Sequence, residues 1–171
     1  MRTHPATSEY AEHYHQYIER VTDDPIDAMA QQIEVTMALL GPLSNDRALY
    51  RYAPDKWSIK EVVGHLADVE RVMAYRALRI GRGDTTPLPS FDENAYTPAG
   101  RFDRRPLTDL LAELRVVRAA SLALFRTFDD EAWVRRGTAS GHTMSVRALA
   151  CIIPGHERHH DALFRTRYGL A

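Results

Sequence analysis

The chain has 171 residues, 44% of them hydrophobic and 26% charged, with a formal net charge of -1. This suits one soluble domain over residues 1–171 with a single core, and the balanced charge argues against a nucleic-acid partner, which calls for a basic excess. The one cysteine, Cys151, excludes an internal disulfide, and no apolar run nears the roughly 18 residues of a membrane span or forms a signal core, so a cytoplasmic location is expected.

Residues 8–22 read as an amphipathic helix, with Tyr10, Tyr14, Tyr17, Ile18 and Val21 at three- and four-residue steps. This is expected to be an N-terminal helical extension packed on the main body, with His13 and His15 on its surface. The first bundle helix follows. Asp24 caps it, Pro25 suits its first turn, Ile26, Ala30, Ile33, Met37 and Leu40 form its apolar stripe, and Gly41-Pro42 ends it.

The second bundle helix starts at Ser58. Ser58-Ile59-Lys60-Glu61 has the form of a capping box, in which serine accepts from an early N–H and glutamate reaches back. Its stripe runs from Val62 to Leu78 and ends at Gly81. Residues 81–105 then break the periodicity with six glycines and prolines. Such a length is long for a connection in a compact domain and would let the second and third bundle helices run parallel. Its polar Asp92, Glu93 and Tyr96 are read as loop structure, and Arg101, Arg104 and Arg105 as a solvated surface.

The third bundle helix begins near Pro106 and carries Leu107, Leu110, Leu111, Leu114, Val117, Leu124, Phe125 and Phe128 on its core face. A turn with Asp129, Asp130 and Trp133 and a polar loop from Gly137 to Gly141 lead to the fourth, capped by Thr143 or Ser145 and ending near Tyr168. No two-residue alternation is sustained, so no β structure is expected. The fold class is all-α, a four-helix bundle.

Three of the eight histidines fall in Pro154-Gly155-His156-Glu157-Arg158-His159-His160. On a helical projection, Leu149, Ile152, Ile153 and Leu163 lie within roughly 60° of His156, so it faces the core. His160 is one turn on along the same face, and His159 falls at its edge. His156 and His160 thus form an H-x-x-x-H pair able to converge on one ion. In the second bundle helix, Val69 and Val72 flank His65 within roughly 40°, so it is core-facing too.

Together the three give a three-histidine metal site with a position left for water, the catalytic rather than the structural arrangement. The competing reading is a set of hydrogen-bonded core histidines, which would leave several buried ring nitrogens in need of partners. Glu61 and Asp68 lie within roughly 60° of His65 on its other side and are candidates to orient an imidazole or act as a base. Glu157 points off the stripe and is expected in solvent. Cys151 points away from His156. Trp57 and Trp133 read as core. Pro154, two residues before His156, removes a helical hydrogen bond and is a point at which a kink would re-aim that histidine.

Lys56-Trp57-Ser58-Ile59-Lys60-Glu61-Val62-Val63-Gly64-His65-Leu66 resembles the second-helix signature of the DinB-like superfamily, in its YfiT-like branch of metal-dependent hydrolases. Residues 74–79, 87–96, 145–150 and 155–160 match the same family, and the resemblance runs from about Glu9 to Tyr168. It implies a DinB/YfiT-like four-helix bundle of nonconsecutive arrangement, frequently a homodimer. It implies a divalent metal held by His65, His156 and His160: nickel or zinc first, manganese or iron as alternatives. Relatives sharing this fold include thiol-dependent S-transferases. The expected function is therefore metal activation of water or a low-molecular-weight thiol toward a small-molecule substrate, as a hydrolase or S-transferase. The alternative is a dimeric metal-binding or stress-response module without turnover.

Overall fold

A computed structural model describes residues 4–171; the polar opening at Met1, Arg2 and Thr3 lies outside the described residues. Four long helices build the body: α2 (Pro25–Leu40), α3 (Ile59–Gly81), α5 (Leu107–Phe125) and α7 (Val146–Thr166). Short helices α1 (His15–Ile18), α4 (Glu93–Gly100) and α6 (Asp130–Val134) and a hairpin, β1 (Arg136–Ala139) with β2 (His142–Ser145), fill the connections.

The helix starts follow local chemistry. Asp24 accepts from Ile26 N–H at 2.9 Å, with Pro25 in the first turn of α2. Ser58 accepts from Glu61 N–H at 3.0 Å while Glu61 accepts from Ser58 N–H at 2.9 Å, which completes the expected capping box of α3. Ser145 rather than Thr143 caps α7, accepting from Ala148 N–H at 3.1 Å. At α5 the cap comes from elsewhere: Asn45, in the loop after α2, accepts from Leu107 N–H at 2.8 Å.

Side-chain pairs give the helix directions. Glu70 of α3 meets Arg118 of α5, and further along Gly81 meets Phe128 just beyond α5, so α3 and α5 run parallel. Trp57, just before α3, meets Tyr168 after α7, and His65 meets His156, so α3 and α7 are antiparallel. Asp23 pairs with Arg158 and Thr36 with Asp161, so α2 and α7 run parallel. The order is up, down, down, up. The 82–106 connection makes this possible by returning from the end of α3 to its start, where Phe102 packs against Gly64.

Three expectations are corrected. Residues 8–22 are not one helix. They form turns at Thr7–Glu9 and Glu12–Tyr14 before the single turn of α1, and the segment folds back so that its tyrosines meet α7. The Gly137–Gly141 loop is a β-hairpin in which Ala139 pairs with His142. Strands of four residues are too short to display alternation, while Ser140 (φ 53°) and Gly141 (φ 78°) supply the two left-handed positions of a tight hairpin turn. Leu88 adds to this hairpin, donating to Thr138 O at 2.9 Å and accepting from Ser140 N–H at 3.0 Å, which anchors the connection after α3.

The third correction is Glu157, which is 1% exposed. Glu157, Cys151 and Asp161 of α7 lie off its cavity-facing stripe and are buried, while Arg165 on the far side is exposed. Glu157 accepts from Arg118 Nη2 at 2.6 Å, and Arg118 also donates two 2.9 Å bonds to Glu70 and one of 2.7 Å to Met29 O. The apolar core forms two clusters: Met73, Phe125, Trp133 and Leu149 with the hairpin at one end, and Val63, Leu110, Leu114 and Phe164 at the other.

Candidate metal centre

Where α3 and α7 cross, three imidazoles meet. His65 lies nearly two turns into α3, on the side bearing Val62, Leu66 and Val69. His156 and His160 occupy successive turns of α7. Their Nε2 atoms converge: His65 and His156 are 3.1 Å apart, and His156 and His160 also 3.1 Å. All three donor atoms lie within 4.8 Å of one another, and the residues are only 7–8% exposed. Pro154 lies within α7 without ending it, and His156 still faces His65.

This geometry suits a cation better than mutual hydrogen bonding. A ring nitrogen carries either one proton or one in-plane lone pair, so His156 Nε2 cannot make two well-directed bonds to two other ring nitrogens. Burial pushes the His65 pKa down to about 4 and holds His156 and His160 well below the ordinary histidine value; His65 also disfavours charge on His156 and His160, and His156 disfavours it on His160. The rings are therefore neutral near pH 7, with lone pairs available. His160 Nδ1, the ring nitrogen turned away from the cluster, has no hydrogen-bond partner among the described residues. Neutral imidazole nitrogens of this number and spacing are a donor set that fits zinc, nickel, copper or iron.

Around the cluster the side chains are aromatic. Trp57 tilts against His65 with ring centroids 4.7 Å apart, and Tyr17 stands edge-on to His156 at 5.1 Å and to His159 at 5.3 Å. The histidines floor a cavity of about 340 Å³. Val69, Met73, Phe91 and Ile152 give it apolar walls, and Glu93, Asn94 and Ser140 add polar groups. Its volume falls at the low end of the roughly 300–1,000 Å³ of small-molecule sites.

The other candidates are placed elsewhere. Glu61 is held by Ser58 N–H and Arg51, and Asp68 by Arg71 at 3.2 Å; neither lines the cavity. Both carboxylates are paired with arginines instead. Asp92 caps α4, accepting from Asn94 N–H at 2.9 Å, and Tyr96 is exposed. Cys151 is buried away from the cavity, and burial raises its thiol to about 12. His159 lines the cavity half-buried, beside the cluster.

Sequence reasoning missed several residues of the cavity. His13 is exposed, in keeping with a surface position, but with Tyr14 and Tyr17 it also forms part of the wall, and Trp57 lines the cavity rather than only the core. Only the aromatic density of the N-terminal segment hinted at this, because its path over α7 is set by a close approach at Gly155. A Cβ there would collide with the Tyr17 carbonyl.

No helix among the described residues is long and apolar enough to cross a membrane. No curated protein matches the chain in sequence. Among solved structures, the chain is similar to YfiT from Bacillus subtilis, described as a probable metal-dependent hydrolase with an unusual four-helix bundle topology. The TM-score is 0.76 at 19% identity, over 98% of this chain and 94% of that one. It is also similar to a mycothiol-dependent maleylpyruvate isomerase, with a TM-score of 0.70 at 14% identity. There it covers 91% of this chain but spans only 64% of the isomerase. The family model of the DinB superfamily matches residues 28–164, most of the chain and all three clustered histidines, and on that match the chain belongs to the DinB superfamily.

Proposed function

We propose that this protein is a metal-dependent enzyme in which His65, His156 and His160 hold one divalent ion through their Nε2 atoms, nickel or zinc first. The observation that carries the reading is the convergence of three neutral, buried imidazole nitrogens on the floor of a cavity. When bound, the ion supplies Lewis acidity and lowers the pKa of a water or thiol at its remaining position.

The chain's own residues do the rest. Trp57 and Tyr17 pack against His65 and His156 and hold their rings in register. Val69, Met73, Phe91 and Ile152 limit water around the reacting atoms and hold the apolar part of a small substrate. His159 and the Tyr17 hydroxyl are polar groups at the wall beside the histidines, available to a bound molecule.

Hydrolysis is the first reaction class, in line with the description of YfiT. Transfer involving a low-molecular-weight thiol is the second, in line with the mycothiol dependence of the isomerase. A homodimer is the proposed assembly. The test is to load the protein with zinc, nickel or manganese and assay ester, amide and thiol-transfer substrates. Turnover that vanishes in a folded His65→Ala variant supports the enzyme. Stoichiometric metal binding without turnover on any of these supports a metal-binding module instead. Failure to bind any of the three ions overturns the metal site.

A further inference from the structure

Among the described residues two arginines are almost wholly buried, and their surroundings differ. Arg118 is 2% exposed and is neutralised by Glu70 and Glu157. Arg76 is also 2% exposed, yet among the described residues it forms no ion pair with a carboxylate. Its Nη2 donates to Pro89 O at 2.9 Å and to Ser140 Oγ at 2.8 Å; its Nη1 reaches only the Met73 sulfur, at 4.0 Å. Fully buried arginines are almost always paired, because desolvating an uncompensated charge is costly.

The position of this charge is informative. Met73, Phe91 and Ser140, the side chains around the guanidinium, all line the cavity, and the guanidinium carbon lies 5.7 Å from the Phe91 ring centroid. Ser140 accepts from Arg76, so its own hydroxyl proton is free to point elsewhere, and the cavity is the space it borders. Ser140 holds this place at φ 53°, a left-handed conformation that serine adopts at some cost and that glycine or asparagine would take more readily. The carboxylate on the cavity wall, Glu93, interacts electrostatically with His13 and Tyr17 of the N-terminal segment.

We propose that the Ser140 side of the cavity receives an anionic group of the substrate, a carboxylate in the first instance. Ser140 donates to it directly, and Arg76 behind Ser140 supplies the compensating positive charge. Asn94, also on the wall, is a second neutral donor. This rests on the reading of the cavity as the substrate site, and it names the substrate class: a small acid whose apolar part lies against Phe91, Met73 and Val69 while its reacting atom faces the histidines. Ser140 is then a specificity-determining residue and Arg76 a positioning residue acting through it.

The test uses the metal-free full chain at pH 8, where the histidines are neutral and no ion competes for the probe. Binding of 3-phenylpropanoate and of the neutral 3-phenylpropanamide is followed by Trp57 emission, since Trp57 lines the cavity. Wild type is expected to prefer the acid by tenfold or more. Ser140→Gly, which suits the local backbone, is expected to lose most of that preference, weakening the acid far more than the amide, because a hydrogen bond to a carboxylate is the stronger one. Arg76→Gln is expected to bring the two probes to parity, with Arg76→Lys restoring part of the difference. Equal affinities in wild type, no propanoate binding up to millimolar concentration, or an acid preference unchanged in Ser140→Gly overturns the proposal. Ser140→Gly keeps the test decisive should Arg76→Gln fail to fold. A zinc titration of the same wild-type sample reads the metal site separately, so failure there is distinguishable.

Discussion

His65 Nε2 and His156 Nε2 lie 3.1 Å apart across the α3–α7 interface, although 91 residues separate them in the chain. Each comes from a different helix, so neither is expected to hold an ion alone. His65→Ala and His156→Ala should each weaken zinc binding by about 100-fold or more while leaving the helical circular-dichroism spectrum intact, given the 10–100-fold that even supporting residues contribute. Calorimetric titration checks this. Wild-type affinity in His156→Ala would show that the ion binds elsewhere.

The same burial sets a pH dependence. A histidine with an ordinary pKa loses its metal to protons as pH falls below about 6.5. His65 is lowered to about 4, and His156 and His160 are also lowered, so zinc affinity should stay nearly level from pH 8 to about 5 before falling. In the metal-free protein the shift acts on stability. The unfolded chain binds the proton first, so stability due to His65 is full above pH 6.5 and lost as pH drops toward 4, about 2 kcal/mol between pH 8 and 5. Asp161, raised to about 7 mainly by burial, works the other way, its penalty growing as pH rises from 4 through 7. Comparing wild type with His65→Gln in urea at both pH values isolates the histidine contribution.

Arg118 ties α5 to α3, α7 and the backbone of α2. Arg118→Met would leave Glu70 and Glu157 buried without their cation, at a cost of about 3–5 kcal/mol. Thermal unfolding should show a large drop in Tm. The triple variant Arg118→Met, Glu70→Gln, Glu157→Gln should recover part of it, because no charge then remains unpaired.

Gly155 lets the N-terminal segment lie against α7. Gly155→Ala would push its methyl into the Tyr17 carbonyl, and overpacking of this kind costs about 1–3 kcal/mol. Since Tyr17 and His13 share the cavity wall, limited proteolysis before residue 20 should speed up in the variant while α3 and α5 remain protected.

Cys151 is 3% exposed, and burial raises its thiol to about 12. A thiol so placed reacts slowly. Native protein should resist Ellman's reagent and react fully only in denaturant; prompt labelling of native protein would contradict the burial.

Much of the fold was legible from local rules. The cap at Asp24 and the capping box at Ser58, the apolar stripes, the inward faces of His65, His156 and His160, and the long crossover between parallel helices all follow from periodicity and from hydrogen-bonding needs within a few residues. These are interactions between positions close in the chain, which is why the chain alone determines them. The partners across the bundle were not legible. Glu157 looked solvent-facing because a helical projection shows one stripe and cannot show that α5 lies opposite with Arg118. Glu61 and Asp68 looked available to His65, but Arg51 in the loop before α3 takes the Glu61 carboxylate and Arg71, one turn along α3, takes that of Asp68. The N-terminal segment, the hairpin at Ser140 and the loop at Phe91 became one cavity wall only through packing. Which polar groups end up buried together, and with what compensation, depends on contacts between distant residues, and only the tertiary structure decided that.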